Sequence, residues 1–148
     1  MKKRIYFAYG SNLNHAQMAR RCPDAEFMGT GYIEDYTLVF KGMHKGVADI
    51  IPCPKSRVPV GVWRISCADE RSLDIYEGYP TLYGKRKIYA DFGGDKLCGM
   101  VYIMARDYPL KMTFEDYFNK ILDGYLDCGI DTEYFFEFVK NTADNVSL

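Results

Sequence analysis

The stretch Ile5-Tyr6-Phe7-Ala8-Tyr9-Gly10-Ser11-Asn12-Leu13 constrains the fold most, because an apolar run of β-branched and aromatic residues stops abruptly in a small polar turn. Ile5 to Tyr9 is too short for a helix and reads as a buried strand. Gly10 permits backbone conformations closed to other residues, while Ser11 and Asn12 can bond locally to main-chain groups. Asn14 to Arg21 is helix-like, so free N–H groups where strand gives way to helix offer a seat for a carboxylate or an oxyanion. An ordinary tight turn fits the same residues. The junction is neither a nucleotide loop nor a nucleophile elbow: no second Gly precedes a Lys-Ser/Thr pair, and no Gly lies two residues before or after Ser11.

The rest of the chain reads as strands followed by a helical end. Cys22-Pro23-Asp24 is a stop signal, after which Ala25 to Glu34 and Tyr36 to Phe40 predict two strands with a turn at Glu34-Asp35. Val47 to Ile51 and Val58 to Ile65 predict two more, separated by Pro52-Cys53-Pro54. Ser66 to Tyr76 predicts a helix in which Ser66 and Asp69 form a capping box. Tyr83 to Phe92 and Leu97 to Met104 read as a hairpin turning at Gly93-Gly94. Phe114, Tyr117, Phe118, Ile121, Leu122, Tyr125 and Leu126 recur at helical steps, with Thr113 and Asp116 as the start and Gly129 as the stop. That stripe suits a monomer's core or a homodimer contact. Thr132 to Asn141 predicts a last helix, giving a single α+β domain over residues 1–148.

Composition removes several function classes. A net charge of -1 provides no general attraction to nucleic acid or anionic lipid. Five cysteines without a C-x-x-C pair read as small core residues in a reducing compartment, and two histidines do not make a multi-histidine metal centre. Met1-Lys2-Lys3-Arg4 imitates a signal-peptide start, but the apolar run behind it ends at Gly10, and no later run is long enough to span a bilayer. The expectation is a cytoplasmic protein without nucleic-acid or membrane partners.

The second informative stretch is Leu73-Asp74-Ile75-Tyr76-Glu77-Gly78. Leu73 and Tyr76 share the apolar face of the helix, and Glu77, four after Leu73, follows them. An inward Glu77 at a helix C-terminus is opposed both by burial and by the dipole, so its pKa should rise. A frayed last turn that releases Glu77 to water fits the pattern equally. Asp74 falls on the other face and reads as solvated.

Together, Tyr6-Phe7-Ala8-Tyr9-Gly10-Ser11-Asn12-Leu13 and Leu73-Asp74-Ile75-Tyr76-Glu77-Gly78, followed by Tyr83, resemble the γ-glutamylcyclotransferase-like family along nearly the whole chain. The resemblance implies a small mixed β-barrel with a bowl-shaped cavity and peripheral helices, the turn on one wall and the glutamate opposite. It implies an acyltransferase acting on a small-molecule γ-glutamyl substrate. The substrate's α-amino group attacks its own γ-carbonyl, releasing 5-oxoproline and an amino acid or amine, with no metal or cofactor. By resemblance Glu77 is the general acid/base, and Tyr9, Gly10, Ser11, Asn12, Leu13 and Tyr83 bind substrate. The turn's N–H groups would hold a carboxylate or oxyanion, Tyr9 would pack the wall, and Tyr83 would bond to Glu77. The segment Tyr79 to Arg86 is closer to the γ-glutamylamine branch and the first turn to the γ-glutamyl-amino-acid branch, so the leaving group stays open. Arg86 would meet a substrate carboxylate or form a surface ion pair. Two other readings remain: a non-catalytic small-ligand-binding module of the same fold, and hydrolysis through Ser11 with His15.

Overall fold

The first strand, β1 (Arg4–Ala8), is apolar because it has a partner on each side. It pairs antiparallel with β3 (Val47–Ile65) and parallel with β5 (Asp95–Met104), so Tyr6, Phe7 and Ala8 are buried. With β2 (Glu26–Lys41) and β4 (Tyr83–Phe92), these strands close into a barrel in the order β1-β3-β2-β4-β5. Four helices surround it: α1 (His15–Arg21), α2 (Cys67–Glu77), α3 (Glu115–Cys128) and α4 (Thr132–Asn145). The fold is α+β, a closed mixed barrel, and the computed structural model describes residues 3–146 of it.

Two expected breaks in the sheet are bends instead. β2 runs through Glu34-Asp35 and β3 runs through Pro52-Cys53-Pro54, so four expected strands are two long ones. The ladder slips there, with Glu34 opposite Arg57 and Tyr36 opposite Pro52. Asp35 and Lys55 both take positive φ, and the Lys55 N–H donates to Asp35 Oδ1 at 3.0 Å, which holds the bulge. The prolines are tolerated because β1 pairs with β3 only from Gly61 to Ile65, leaving the proline-bearing part with one ladder partner.

Helix ends also differ in detail. Ser66 and Asp69 form the expected capping box, and Gly78 closes α2 in the left-handed region at φ 64°. The start of α3 is different: its N-cap is Phe114, with no side-chain cap, because Thr113 lies one residue too early. Phe114 and Leu126 lie exposed, while Ile121 and Tyr125 are buried. Of the cysteines only Cys22 is buried; Cys67 and Cys98 are exposed, contrary to the core reading.

The turn after β1 is held from outside by α3. Asn14 Nδ2 donates to the Lys120 carbonyl at 3.2 Å, and the His15 N–H donates to Asp127 Oδ2 at 3.0 Å. Leu13 is fully buried beneath the helix, a contact worth roughly 1.5–3 kcal/mol. The approach requires Gly124, where a Cβ would stand 2.7 Å from both the Asn14 nitrogen and the Leu13 Cβ. Gly124→Ala should therefore lose stability by about 1–3 kcal/mol despite alanine's better helix propensity, since backbone must move to admit the methyl. A urea denaturation midpoint at or above that of the parent protein would show that α3 is not seated this tightly.

Candidate functional site

The turn, the end of α2 and one wall of the barrel enclose a cavity of about 170 Å³. Tyr6, Tyr9, Gly10, Ser11 and Asn12 come from β1 and the turn, Tyr76 and Glu77 from α2, Val47 and Ala48 from β3. Tyr83, Tyr102 and Tyr117 complete the wall from β4, β5 and α3. Three of these phenols are tied to main chain: Tyr9 donates to the Tyr102 carbonyl at 2.7 Å, Tyr83 donates to the Ala48 carbonyl, and Tyr117 accepts from the Ala48 N–H at 3.0 Å. Ala48 thereby links β3, β4 and α3 at the cavity floor.

Among the described residues Glu77 is the only carboxylate that lines the cavity, and no lysine, arginine or histidine lines it. Of the two placements open from the sequence, the inward one is found. Leu73 anchors the helix in the core, and Gly78 caps it before Glu77 can fray. Desolvation by the surrounding rings raises its pKa from 4.5 to about 7, against the charge of Arg21, which pulls it down. Burial raises Tyr6, Tyr9, Tyr83, Tyr102 and Tyr117 well above the ordinary phenol value. They are neutral hydroxyls at physiological pH, and Glu77 titrates among them near neutrality.

The free N–H groups belong to the turn rather than to the helix behind it. The first N–H groups of α1 are taken by Asp127, which accepts from His15, and by the Asn14 side chain, which accepts from Gln17. In the 3-10 turn Ser11–Leu13, the Leu13 and Asn14 N–H groups donate to the Gly10 and Ser11 carbonyls. The N–H groups of Gly10, Ser11 and Asn12 have no hydrogen-bond partner among the described residues. Gly10 has φ −121° rather than a left-handed φ, and its missing side chain makes room: a Cβ would stand 3.2 Å from the Ala48 Cβ.

Among the other site residues expected from the sequence, Tyr9, Ser11, Asn12 and Tyr83 line the cavity. Leu13 does not; it is fully buried against Gly61 and α3. The expected Tyr83 to Glu77 bond is replaced by the bond to Ala48, and the partner of Glu77 is Asn12, whose Nδ2 donates to Oε1 at 3.4 Å. Asp74 is not merely solvated, since it accepts from the Tyr102 hydroxyl at 2.6 Å and pairs with Lys85 at 3.1 Å. Arg86 is exposed and lies outside the cavity. Ser11 and His15 are not brought together: Ser11 Oγ faces the Tyr76 hydroxyl at 3.5 Å, and His15 packs between Phe27 and Trp63. Sequence reading missed Tyr6, Tyr76, Tyr102, Tyr117 and the Asn12 side chain as parts of the site. Their signal was there only as an excess of tyrosine, 13 in the chain.

The sequence pattern of the family described as Gamma-glutamyl cyclotransferase, AIG2-like matches residues 6–119, which include the turn and Glu77. The chain belongs to this family. A γ-glutamylcyclotransferase of Homo sapiens is 34% identical over 82 residues, a match covering 50% of this chain and 44% of that protein. The chain thus spans less than half the length of the curated relatives it matches. A solved structure described as a gamma-glutamyl cyclotransferase superposes with a TM-score of 0.85 at 24% identity, covering 99% of this chain and 89% of that one. An uncharacterized protein from Homo sapiens superposes equally well, at 0.85 and 25% identity, with the same coverage. Both superpositions extend over nearly all of this chain. Among the described residues no helix is long and apolar enough to cross a membrane, and no metal-binding cluster of His, Cys, Asp or Glu is found.

In this member of the family the buried carboxyl has a cost that depends on pH. Folded Glu77 holds its proton more tightly than the unfolded chain does, so the stability it contributes is present in full below about pH 4.5 and is lost as pH rises through about 7. Glu77→Gln removes that loss. After allowing for solvent entering through the cavity mouth, the variant should gain about 1–2 kcal/mol over wild type on going from pH 4 to 8.5. Urea denaturation of both proteins across that range measures it, and parallel curves would mean that Glu77 is effectively solvated.

Proposed function

We propose that the protein is a γ-glutamyl cyclotransferase: it cyclises the γ-glutamyl part of a small γ-glutamyl amide to 5-oxoproline and releases an amino acid or amine. The single observation that carries this reading is a lone carboxyl, raised to about 7, facing across a cavity a turn whose N–H groups have no partner among the described residues. Ser11 Oγ faces the Tyr76 hydroxyl rather than a base, and this reaction needs no enzyme nucleophile, because the substrate supplies its own amine. Amine and γ-carbonyl already belong to one molecule, and binding in the cavity would hold them in the orientation for attack.

The proton inventory then fits the residues. The substrate enters with its α-ammonium toward Glu77 and its α-carboxylate or γ-carbonyl oxygen toward the N–H groups of Gly10, Ser11 and Asn12. Glu77 takes a proton from the ammonium, the freed nitrogen attacks the γ-carbon, and the carbonyl oxygen gains negative charge against the turn. Collapse of that intermediate breaks the amide bond as protonated Glu77 gives its proton to the leaving nitrogen, and Glu77 then takes the second proton from the new ring nitrogen and passes it to the released amine. Raising the carboxyl is what makes the first transfer feasible. An ordinary glutamate lies roughly 3.7 pH units below an α-ammonium, about 5 kcal/mol uphill, and a group near 7 leaves a gap of about 1.4 kcal/mol.

Acyl transfer within one small molecule is thus the chemistry assigned, with no nucleic acid or membrane in it. We place it in the cytoplasm, a setting that suits five free cysteines. Incubation with a panel of γ-glutamyl amino acids and γ-glutamyl amines, read by 5-oxoproline formation, tests the activity. Free glutamate as the product would indicate hydrolysis, and silence across the panel would leave ligand binding as the role of the cavity. With an active substrate, kcat/KM should fall about tenfold per pH unit below 7, and Glu77→Gln should lower kcat by roughly 10²–10⁴ with KM little changed. Full activity in that variant would overturn the assignment.

A further inference from the structure

We propose that Arg21 is a positioning residue for Glu77, acting through Asn12: it locks the Asn12 amide with the oxygen toward α1 and the NH2 toward the carboxylate. This rests on the acid/base reading of Glu77. The orientation of the amide follows from its neighbours. Arg21 NH1 donates to Asn12 Oδ1 at 2.6 Å, and Gln17 Nε2 approaches the same oxygen at 3.5 Å. Both are donors, so neither can face an NH2 group, and Nδ2 is left to reach the Tyr6 hydroxyl at 3.0 Å and Glu77 Oε1 at 3.4 Å. A flipped amide would set its oxygen against the carboxylate, two acceptors with no proton between them.

Arg21 suits the task by its own constraints. Its guanidinium lies 3.0 Å from the ring centroid of Tyr76, the residue preceding Glu77, so stacking fixes the fork that grips Asn12. Among the described residues it makes no ion pair with a carboxylate, so its charge is not spent on a neighbour. The titratable groups that share the cavity with Glu77 from the other elements are phenols: Tyr6 on β1, Tyr9 just after it, Tyr83 on β4, Tyr102 on β5 and Tyr117 on α3. Arg21 is the cation whose field reaches Glu77, and it opposes the effect of burial. The contact therefore has two separable parts, a field and an orientation. Arg20, in the same helical turn, is exposed and provides the control.

The experiment compares Arg21→Met, Arg21→Lys and Arg20→Met with wild type by two readouts. The first is the carboxyl titration of Glu77, followed by 13C NMR in protein labelled at glutamate Cδ and assigned by its loss in Glu77→Gln. The second is kcat and KM for the best substrate of the panel. Arg21→Met should move the Glu77 midpoint upward from about 7 by roughly half a pH unit or more, and lower kcat about tenfold with KM changed less than about twofold. Arg21→Lys keeps the charge and loses the planar fork, so it should restore the midpoint and leave most of the loss in kcat. Arg20→Met should match wild type in both. An unmoved midpoint in Arg21→Met, or full recovery of kcat in Arg21→Lys, overturns the proposal. If wild type makes no 5-oxoproline, the reading of function fails, while the NMR titration still decides whether Arg21 acts on Glu77. Should Arg21→Met fail to fold by circular dichroism, Arg21→Gln takes its place with the same expected outcomes.

Discussion

The site depends on one unfavourable placement, a carboxyl at the C-terminal end of a helix and inside a shell of neutral phenols. Neither the helix dipole nor the low-polarity wall favours its ionised form. The fold tolerates it because the rest of α2 is well anchored: Leu73 is fully buried, Ser66 and Asp69 cap the start, and Gly78 closes the end. Asn12 then supplies a donor from the opposite wall. A carboxyl so held is neutral for part of the physiological range and charged for the rest, which is the condition for moving a proton both ways.

Barrel closure is what brings the two halves of the site together. The turn follows β1 and Glu77 ends the helix after β3, and β1 and β3 are adjacent strands in register from Arg4 with Ile65 to Ala8 with Gly61. Helix α2 leaves β3 at one end of that ladder and runs back along the barrel, so that its last residue meets the turn at the other end. The phenols complete the wall through a common partner, the Ala48 peptide, which accepts from Tyr83 and donates to Tyr117. Each phenol has its hydroxyl committed, so the floor is rigid and polar without being charged.

The parts of the fold that could be read locally were those with strong local chemistry. β1, the capping box of α2, the Gly93-Gly94 hairpin and the Gly129 stop each rest on a few adjacent residues. The bends in β2 and β3 were read as ends because Asp35 and Pro52-Cys53-Pro54 are turn chemistry, and only the partner strand reveals that pairing resumes beyond them. The same limit applied to the site. Glu77 stood out by being four residues from Leu73 on a helix, whereas Asn12, Tyr76 and Arg21 meet across gaps in the chain that no periodicity spans.

The sequence by itself determined that a short apolar strand ends in a Gly-Ser-Asn turn and that a glutamate stands four residues after Leu73 at the end of a capped helix, since both follow from spacing and propensity within a dozen residues; whether that glutamate turns inward it left open. Tertiary structure alone decided which group answers that glutamate. Tyr83 turned to Ala48, Leu13 went to the core, Asp74 was engaged by Tyr102 and Lys85, and Asn12 took the position opposite Glu77. The reason is that a hydrogen bond is chosen by distance and direction among competing partners, and those are set only when the barrel closes.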